Sequence, residues 1–427
     1  MEISDAVSIA SSELSTTSTQ EFEHEPFSTF QTKVTKLCKR TWPGLATGAF
    51  ETHRMEGGSY NRVISLKVDA AKKHLSWFER TTNHLVQMFS ACTSTERKPQ
   101  TQEYVIRMPR YDHAWTEYEM AILLFLSMRN VRAPTIYSFD LSPNNPLGTR
   151  YSIQPRLPGR SVEEVYLDFN NSQRATFAHS LGTALKQLST ITSPCPGTLD
   201  PDTVLKGSTS STQILRLQCP PRNATRRPST ETPTPSTPMS VYDFITSQLT
   251  RQREYDISLS RTHINPWSKF RIIIDAMHAE ILFTDNTYYL THMDFEPRNI
   301  LVNTTNFTLS GILDWDESVF APAFVSCRPP SWLWDFEGED DEELDETVAD
   351  VIPEDEELRE IKEAFEAAVG ETWCRYAYLT EYRLARDIVR LAITGMGSSE
   401  DYGVAERVVR EWNVLRPDCM VGGWEED

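Results

Sequence analysis

Two short segments hold residue types suited to handling phosphate groups. The first runs His292-Met293-Asp294-Phe295-Glu296-Pro297-Arg298-Asn299 and leads into the apolar run Ile300-Leu301-Val302. The second follows a polar turn and runs Leu309-Ser310-Gly311-Ile312-Leu313-Asp314-Trp315-Asp316. The apolar runs read as two strands flanking a turn, with Asp294 and Asn299 on the loop before one strand and Asp314 at the end of the next. Moving a phosphoryl group from a nucleotide to a hydroxyl needs a carboxylate that accepts or orients the attacking hydroxyl. It also needs hard oxygen ligands that hold magnesium against the phosphates. One Asp, one Asn and a second Asp supply that set. The competing reading is a chance spacing beside a structural Asp-Trp pair. A metal oxygenase using His292 and Asp294 as two legs of a facial triad would need a later histidine. All nine histidines lie at or before position 292, so that chemistry is disfavoured.

The elements that must position these segments are legible around them. Residues 1–25 are polar and rich in Ser and Thr, a composition that predicts disorder. A turn-rich patch from Glu56 to Asn61 leads into a strand over Arg62 to Val68, and a second strand over Glu103 to Met108 stops at Pro109. Apolar residues then recur at helical spacing from Trp115 to Leu126, with Glu117 and Glu119 in the first turns. Arg150 to Gln154 reads as a closing strand and Pro158-Gly159 as the turn beyond it. This order predicts a small α+β lobe over residues 26–157. Helical patterning dominates residues 158–427, notably at 174–188, 268–283 and 358–412. A Ser/Thr/Pro/Arg-rich stretch at 205–240 interrupts it and reads as a surface insertion with no means of burying a core. Residues 337–357 are densely acidic; such runs are usually solvated loops, although a site for cationic amines is the other reading.

Taken together, these segments resemble the aminoglycoside phosphotransferase and choline kinase superfamily, most closely its large fungal branch. That family's H-x-D-x-x-x-x-N motif matches His292, Asp294 and Asn299, and its strand-end I-D-W matches Leu313-Asp314-Trp315. The resemblance extends more thinly over residues 50–415, through Asn145-Pro146-Leu147-Gly148, Leu157-Pro158-Gly159 and Pro330-Ser331-Trp332-Leu333-Trp334. It implies a two-lobed, protein-kinase-like α+β fold, with a β-rich nucleotide-binding lobe and a larger, mainly helical catalytic lobe. The activity it implies is transfer of a γ-phosphate from ATP or GTP, with Mg2+, to a hydroxyl of a small molecule. Asp294 is then the catalytic carboxylate. Asn299 and Asp314 hold the magnesium, Asp314 bridging it to the terminal phosphates, and His292 braces the loop. Trp332 and Trp334 either line an acceptor pocket or pack the lobe.

On the nucleotide side, Gly57, Gly58 and Ser59 suit a hairpin that lets backbone amides approach phosphates, or an ordinary turn. Arg107 stands where the family places its phosphate-pairing lysine; the alternative is a surface strand residue. Its guanidinium is bulkier than an ammonium and not a neutral replacement. Glu119 is the expected partner carboxylate, with Glu117 as the rival, and either alternatively favours the helix N-terminus electrostatically. Adenine is expected against Gln154 to Leu157, where Pro155 removes one amide donor.

The chain also departs from the family at Met293, Glu296 and Arg298, where members usually carry small or basic residues. Glu296 adds negative charge beside Asp294. Arg298 offsets that charge, steadies the transition state or caps the loop. Arg107 and Glu296 keep a second function in view: the same fold binding a nucleotide or a protein partner without turnover.

Bulk properties narrow the remaining classes. A formal net charge of −19 over 427 residues, with no long Lys/Arg run, argues against a nucleic-acid partner. No apolar run is long enough to span a bilayer, and the N-terminus has neither a basic start nor an apolar core. Seven cysteines, an odd number without close pairs, suit reduced thiols in a cytoplasmic protein.

Overall fold

In residues 27–41 the side chains of Phe30, Val34, Leu37 and Cys38 recur at helical spacing. The chain forms the helix Phe27–Thr41 there and buries that face. The strand–helix–strand reading of the first lobe did not include this helix. A computed structural model describes residues 25–55, 61–72, 101–110, 116–207, 213–219, 232–260, 266–335 and 349–422. The expectations for residues 1–24, for Gly57, Gly58 and Ser59, and for most of the acidic stretch lie outside the described residues.

By its internal contacts the chain divides into two units. The first comprises Met1–Met120 with Pro134–Arg156, and the second Ala121–Ala133 with Leu157–Asp427. The first unit therefore ends one residue before the expected boundary at 157 and does not include 121–133.

The first unit holds a five-stranded antiparallel sheet. Its strands are β1 (Phe50–Arg54), β2 (Asn61–Asp69), β3 (Thr101–Pro109), β4 (Ser138–Asp140) and β5 (Tyr151–Pro155), in the order β1-β2-β3-β5-β4. Ile64, Leu66 and Val68 alternate along β2 onto the core face, as a half-buried strand requires. They pack with Tyr104, Ile106, Met108, Tyr151 and Ile153 against the buried face of Phe27–Thr41. The register sets Val63 opposite Arg107 and Arg107 opposite Ser152. The helix Thr116–Ser127 carries Glu117 and Glu119 in its first turn.

The second unit is mainly helical. The helices Asn171–Leu188 and Glu356–Val369 approach so closely that a Cβ on Gly182 would stand 2.8 Å from both the Ala368 Cβ and the Phe365 carbonyl oxygen. Trp332 and Trp334 are 2% and 3% exposed. Trp332 packs on Tyr166 and Phe177, and Trp334 on Phe365, so both are core residues. The strands are β6 (Arg160–Ser161), β7 (Thr192–Ser193), β8 (Thr198–Leu199), β9 (Ile214–Leu215), β10 (Tyr288–Thr291), β11 (Ile300–Asn303), β12 (Thr308–Ile312) and β13 (Val319–Pro322). They form the ladders β13-β10-β7, β12-β11-β6 and β8-β9. Part of the 205–240 stretch corrects its reading as an insertion without a core. Ile214, Leu215 and Leu217 are buried, and Leu215 bridges to Pro235.

None of the described cysteines forms a disulfide. Burial pushes the Cys38 and Cys327 thiols up to about 12, which suits packing rather than reactivity. No described helix is long and apolar enough to cross a membrane.

Candidate active site

The loop from His292 to Asn299 leaves β10 and enters β11 through a short turn, Pro297–Asn299. Pro297 pre-sets that turn, and the Asn299 amide closes it on the Glu296 carbonyl at 2.9 Å. Hairpin pairing of β11 with β12 sets Ile300 opposite Ile312. One step further out, the Leu313 amide donates to the Asn299 carbonyl at 2.7 Å. This bond brings the backbone next to Asp314 alongside Asn299. Asp314 itself has φ 62 and ψ 57, the left-handed region that Asp tolerates better than most residues. It turns the chain out of β12 into Trp315–Glu317, where Trp315 is buried and its Nε1 donates to the Ile312 carbonyl at 2.8 Å.

Asn299 is buried, and its Nδ2 donates to the Asp294 carbonyl at 3.0 Å and to Asp294 Oδ2 at 2.8 Å. Both partners are acceptors only, so this orientation of the amide is forced. Oδ1 is thereby left as the outward acceptor. Asp294 Oδ1 accepts from Arg298, four residues on, whose side chain is 54% exposed. The sequence left Arg298 as offsetting Glu296, steadying the transition state or capping the loop. In this structure Arg298 offsets Asp294. Glu296 instead pairs with Arg328 Nη1 at 2.6 Å, a partner 32 residues away that sequence spacing did not reveal.

His292 is buried, and its Nε2 donates to the Leu313 carbonyl at 2.7 Å. A carbonyl only accepts, so the proton of the neutral ring sits on Nε2. Its ring meets Trp315 edge-on with centroids 4.7 Å apart. His292 thus grips both sides of Asp314 from the strand that leads to Asp294. Burial pushes its pKa below the ordinary 6.5, outweighing the Leu313 bond and the charges of Asp294, Asp314 and Glu296. A cavity of about 30 Å³ beside the ring has room for about one water.

In the first unit, Arg107 Nε lies 3.1 Å from Glu119 Oε1, with side chains 14% and 7% exposed. Glu117 pairs with Arg150 instead, at 3.0 Å. The buried Gln154 side chain donates to Glu119 at 3.2 Å and to Ser152 at 3.0 Å, so it belongs to the Arg107 network. The Arg156 amide is bonded to the Glu103 carbonyl. With Pro155 lacking an N–H, the expected adenine segment offers fewer donors than its sequence suggested. Leu157 packs against Gly311 of β12, in the second unit.

Four oxygen-bearing or basic side chains of the loop and hairpin are therefore brought together: Asp294 with Asn299 and Arg298, and His292 beside the backbone of Asp314. The Asp314 and Asn299 segments meet through the backbone, by the bond from the Leu313 amide to the Asn299 carbonyl.

The model of the phosphotransferase enzyme family matches residues 93–361. No curated protein matches the chain. Solved structures that it resembles include a candidate aminoglycoside phosphotransferase from Ralstonia eutropha, at 12% identity over 91% of this chain and 97% of that one, TM-score 0.48. An ethanolamine kinase from Plasmodium vivax shares 15% identity over 87% of this chain and 84% of that one, TM-score 0.45. The GDP complex of aminoglycoside 2'-phosphotransferase-IIIa shares 12% over 89% and 96%, TM-score 0.43.

Proposed function

Because the chain belongs to the phosphotransferase enzyme family, we propose that it transfers the γ-phosphoryl group of ATP or GTP to a hydroxyl of a small molecule. The observation that carries this reading is the forced orientation of Asn299. Its amide nitrogen holds Asp294 in place, and its backbone carbonyl accepts the Leu313 amide that precedes Asp314.

In this reading Asp294 orients the acceptor hydroxyl and takes its proton as the oxygen bonds to the γ-phosphorus, while the bond from that phosphorus to the bridging oxygen breaks and the nucleoside diphosphate leaves. Asn299 and Asp314 would hold Mg2+, which when bound would neutralise charge on the nucleotide phosphates. His292 stays neutral and keeps the two segments in register. Arg298, half exposed on a flexible stem, is the movable member. By turning from Asp294 to the transferring phosphoryl group it would offset the charge that develops there. Arg107, held by Glu119, is the candidate phosphate partner in the first unit.

The inactive, binding-only alternative drew on Arg107 and on Glu296. The Arg328 pair balances Glu296, which supports the enzyme on that one point and leaves Arg107 to the nucleotide test. The test is nucleotide turnover with Mg2+ by the wild type, Asp294→Asn and Asp314→Ala. Asp294→Asn is expected to retain nucleotide affinity and lose turnover by about 10²-fold or more. Turnover by Asp294→Asn equal to wild type would remove Asp294 from the chemistry.

A further inference from the structure

Two arginines, Arg328 and Arg390, reach the loop that carries Asp294, and a third, Arg386, holds the segment that leads into Arg328. The helix Thr380–Thr394 is buried along most of its length, and Arg386 within it has no exposed surface. Its Nε donates to the Phe324 carbonyl at 2.7 Å, and its Nη2 to the carbonyls of Cys327 at 3.2 Å, Tyr376 at 2.9 Å and Ala377 at 2.8 Å. A guanidinium stays charged when buried, so these acceptors are what offset its desolvation. One turn on and on the same face, Arg390 donates to the Met293 carbonyl at 3.3 Å, directly before Asp294. The segment that Arg386 grips at Cys327 continues into Arg328, which reaches the loop through Glu296 at 2.6 Å. Glu296 in turn donates its amide to the Asp294 carbonyl at 3.1 Å and accepts from the Asn299 amide at 2.9 Å. The contacts close a circuit: helix, Cys327-Arg328, Glu296, Met293 and back to the helix through Arg390.

The geometry points to Arg328 as a positioning residue that acts through Glu296 to set Asp294 relative to Asn299, with Arg386 and Arg390 anchoring the circuit to the helix. The inference rests on the phosphoryl-transfer reading for its consequence in turnover, but not for its consequence in loop order. Glu296 is suited to the task because it sits midway between the two residues whose spacing matters. The side chains of Arg328 and Glu296 are 16% and 23% exposed, so solvent screens the pair less than a surface ion pair. Ser161 adds only long bonds, 3.3 Å to the Pro297 carbonyl and 3.4 Å to that of Arg298.

The test uses the full-length protein and the variants Arg328→Met, Arg328→Lys and Glu296→Gln, read by amide hydrogen exchange and by Mg-nucleotide turnover. Arg328→Met is expected to speed exchange of the 293–299 amides by about tenfold or more, while the helix Asn171–Leu188 keeps its protection. It is expected to lower kcat by about 10–100-fold, because a misplacement of about 1 Å costs on that order, with KM for nucleotide changed by less than about threefold. Arg328→Lys, which keeps the charge, should recover part of both effects. Unchanged loop exchange in folded Arg328→Met overturns the inference, and so does a loss confined to KM. If Arg328→Met does not fold, Glu296→Gln decides by the same two readouts. A wild type that turns over no nucleotide would sink the phosphotransferase reading, while the exchange comparison would still decide the role of Arg328.

Discussion

Asp294, Asn299 and Arg298 were each singled out in the sequence, and on a tight loop their short spacing turns directly into contact. Two bonds from Asn299 and one from Arg298 hold Asp294. For Glu296 the sequence offered Arg298 as one possible counterion and did not reveal Arg328, which lies beyond the next hairpin and is brought to Glu296 only by tertiary folding. His292 makes a prediction at this scale. Its folded pKa lies below the ordinary 6.5, so the unfolded chain binds the proton more readily. Its contribution to stability is therefore full above about 6.5 and is lost as pH falls through that value toward the folded pKa. Melting temperature followed from pH 8 to 5 should drop more steeply in the wild type than in His292→Gln. Parallel curves for the two proteins would show that the imidazole is not held neutral.

At the scale of elements, the strands β2, β3 and β5 and the helices Thr116–Ser127, Asn171–Leu188 and Pro266–Ala279 followed from periodicity, within a few residues at their ends, whereas the helix Val241–Ser258 did not. The helix Phe27–Thr41 did not either, because Thr, Gln and Lys separate Phe30, Val34 and Leu37 and keep the segment polar on average. Gln154 begins the segment expected to lie against adenine; its side chain is buried in the Arg107–Glu119 pair, a cross-element contact that strand spacing cannot reveal. The turn after Leu157-Pro158 carries its own test. Gly159 has φ +106, and a Cβ there would stand 2.6 Å from the Val302 carbonyl oxygen. Gly159→Ala should therefore destabilise the protein by about 1–3 kcal/mol through backbone strain alone, and more where the β6–β11 pairing cannot relax. A melting curve unchanged by this substitution would mean that β6 is not held against β11.

On the scale of the whole molecule, the proposed function makes one claim: nucleotide binding depends on a magnesium ion held by Asn299 and Asp314. The net charge of −19 sharpens it, since a nucleotide polyphosphate meets an acidic protein and needs the cation to bind. Thermal denaturation with ATP or GTP, with and without Mg2+, tests this most directly. Nucleotide with magnesium should stabilise the wild type by about 2.7 kcal/mol at one hundred times its Kd. Nucleotide alone should do much less, and Asp314→Ala should lose the magnesium-dependent part. No stabilisation by either nucleotide with magnesium, or an equal gain in Asp314→Ala, would contradict the account.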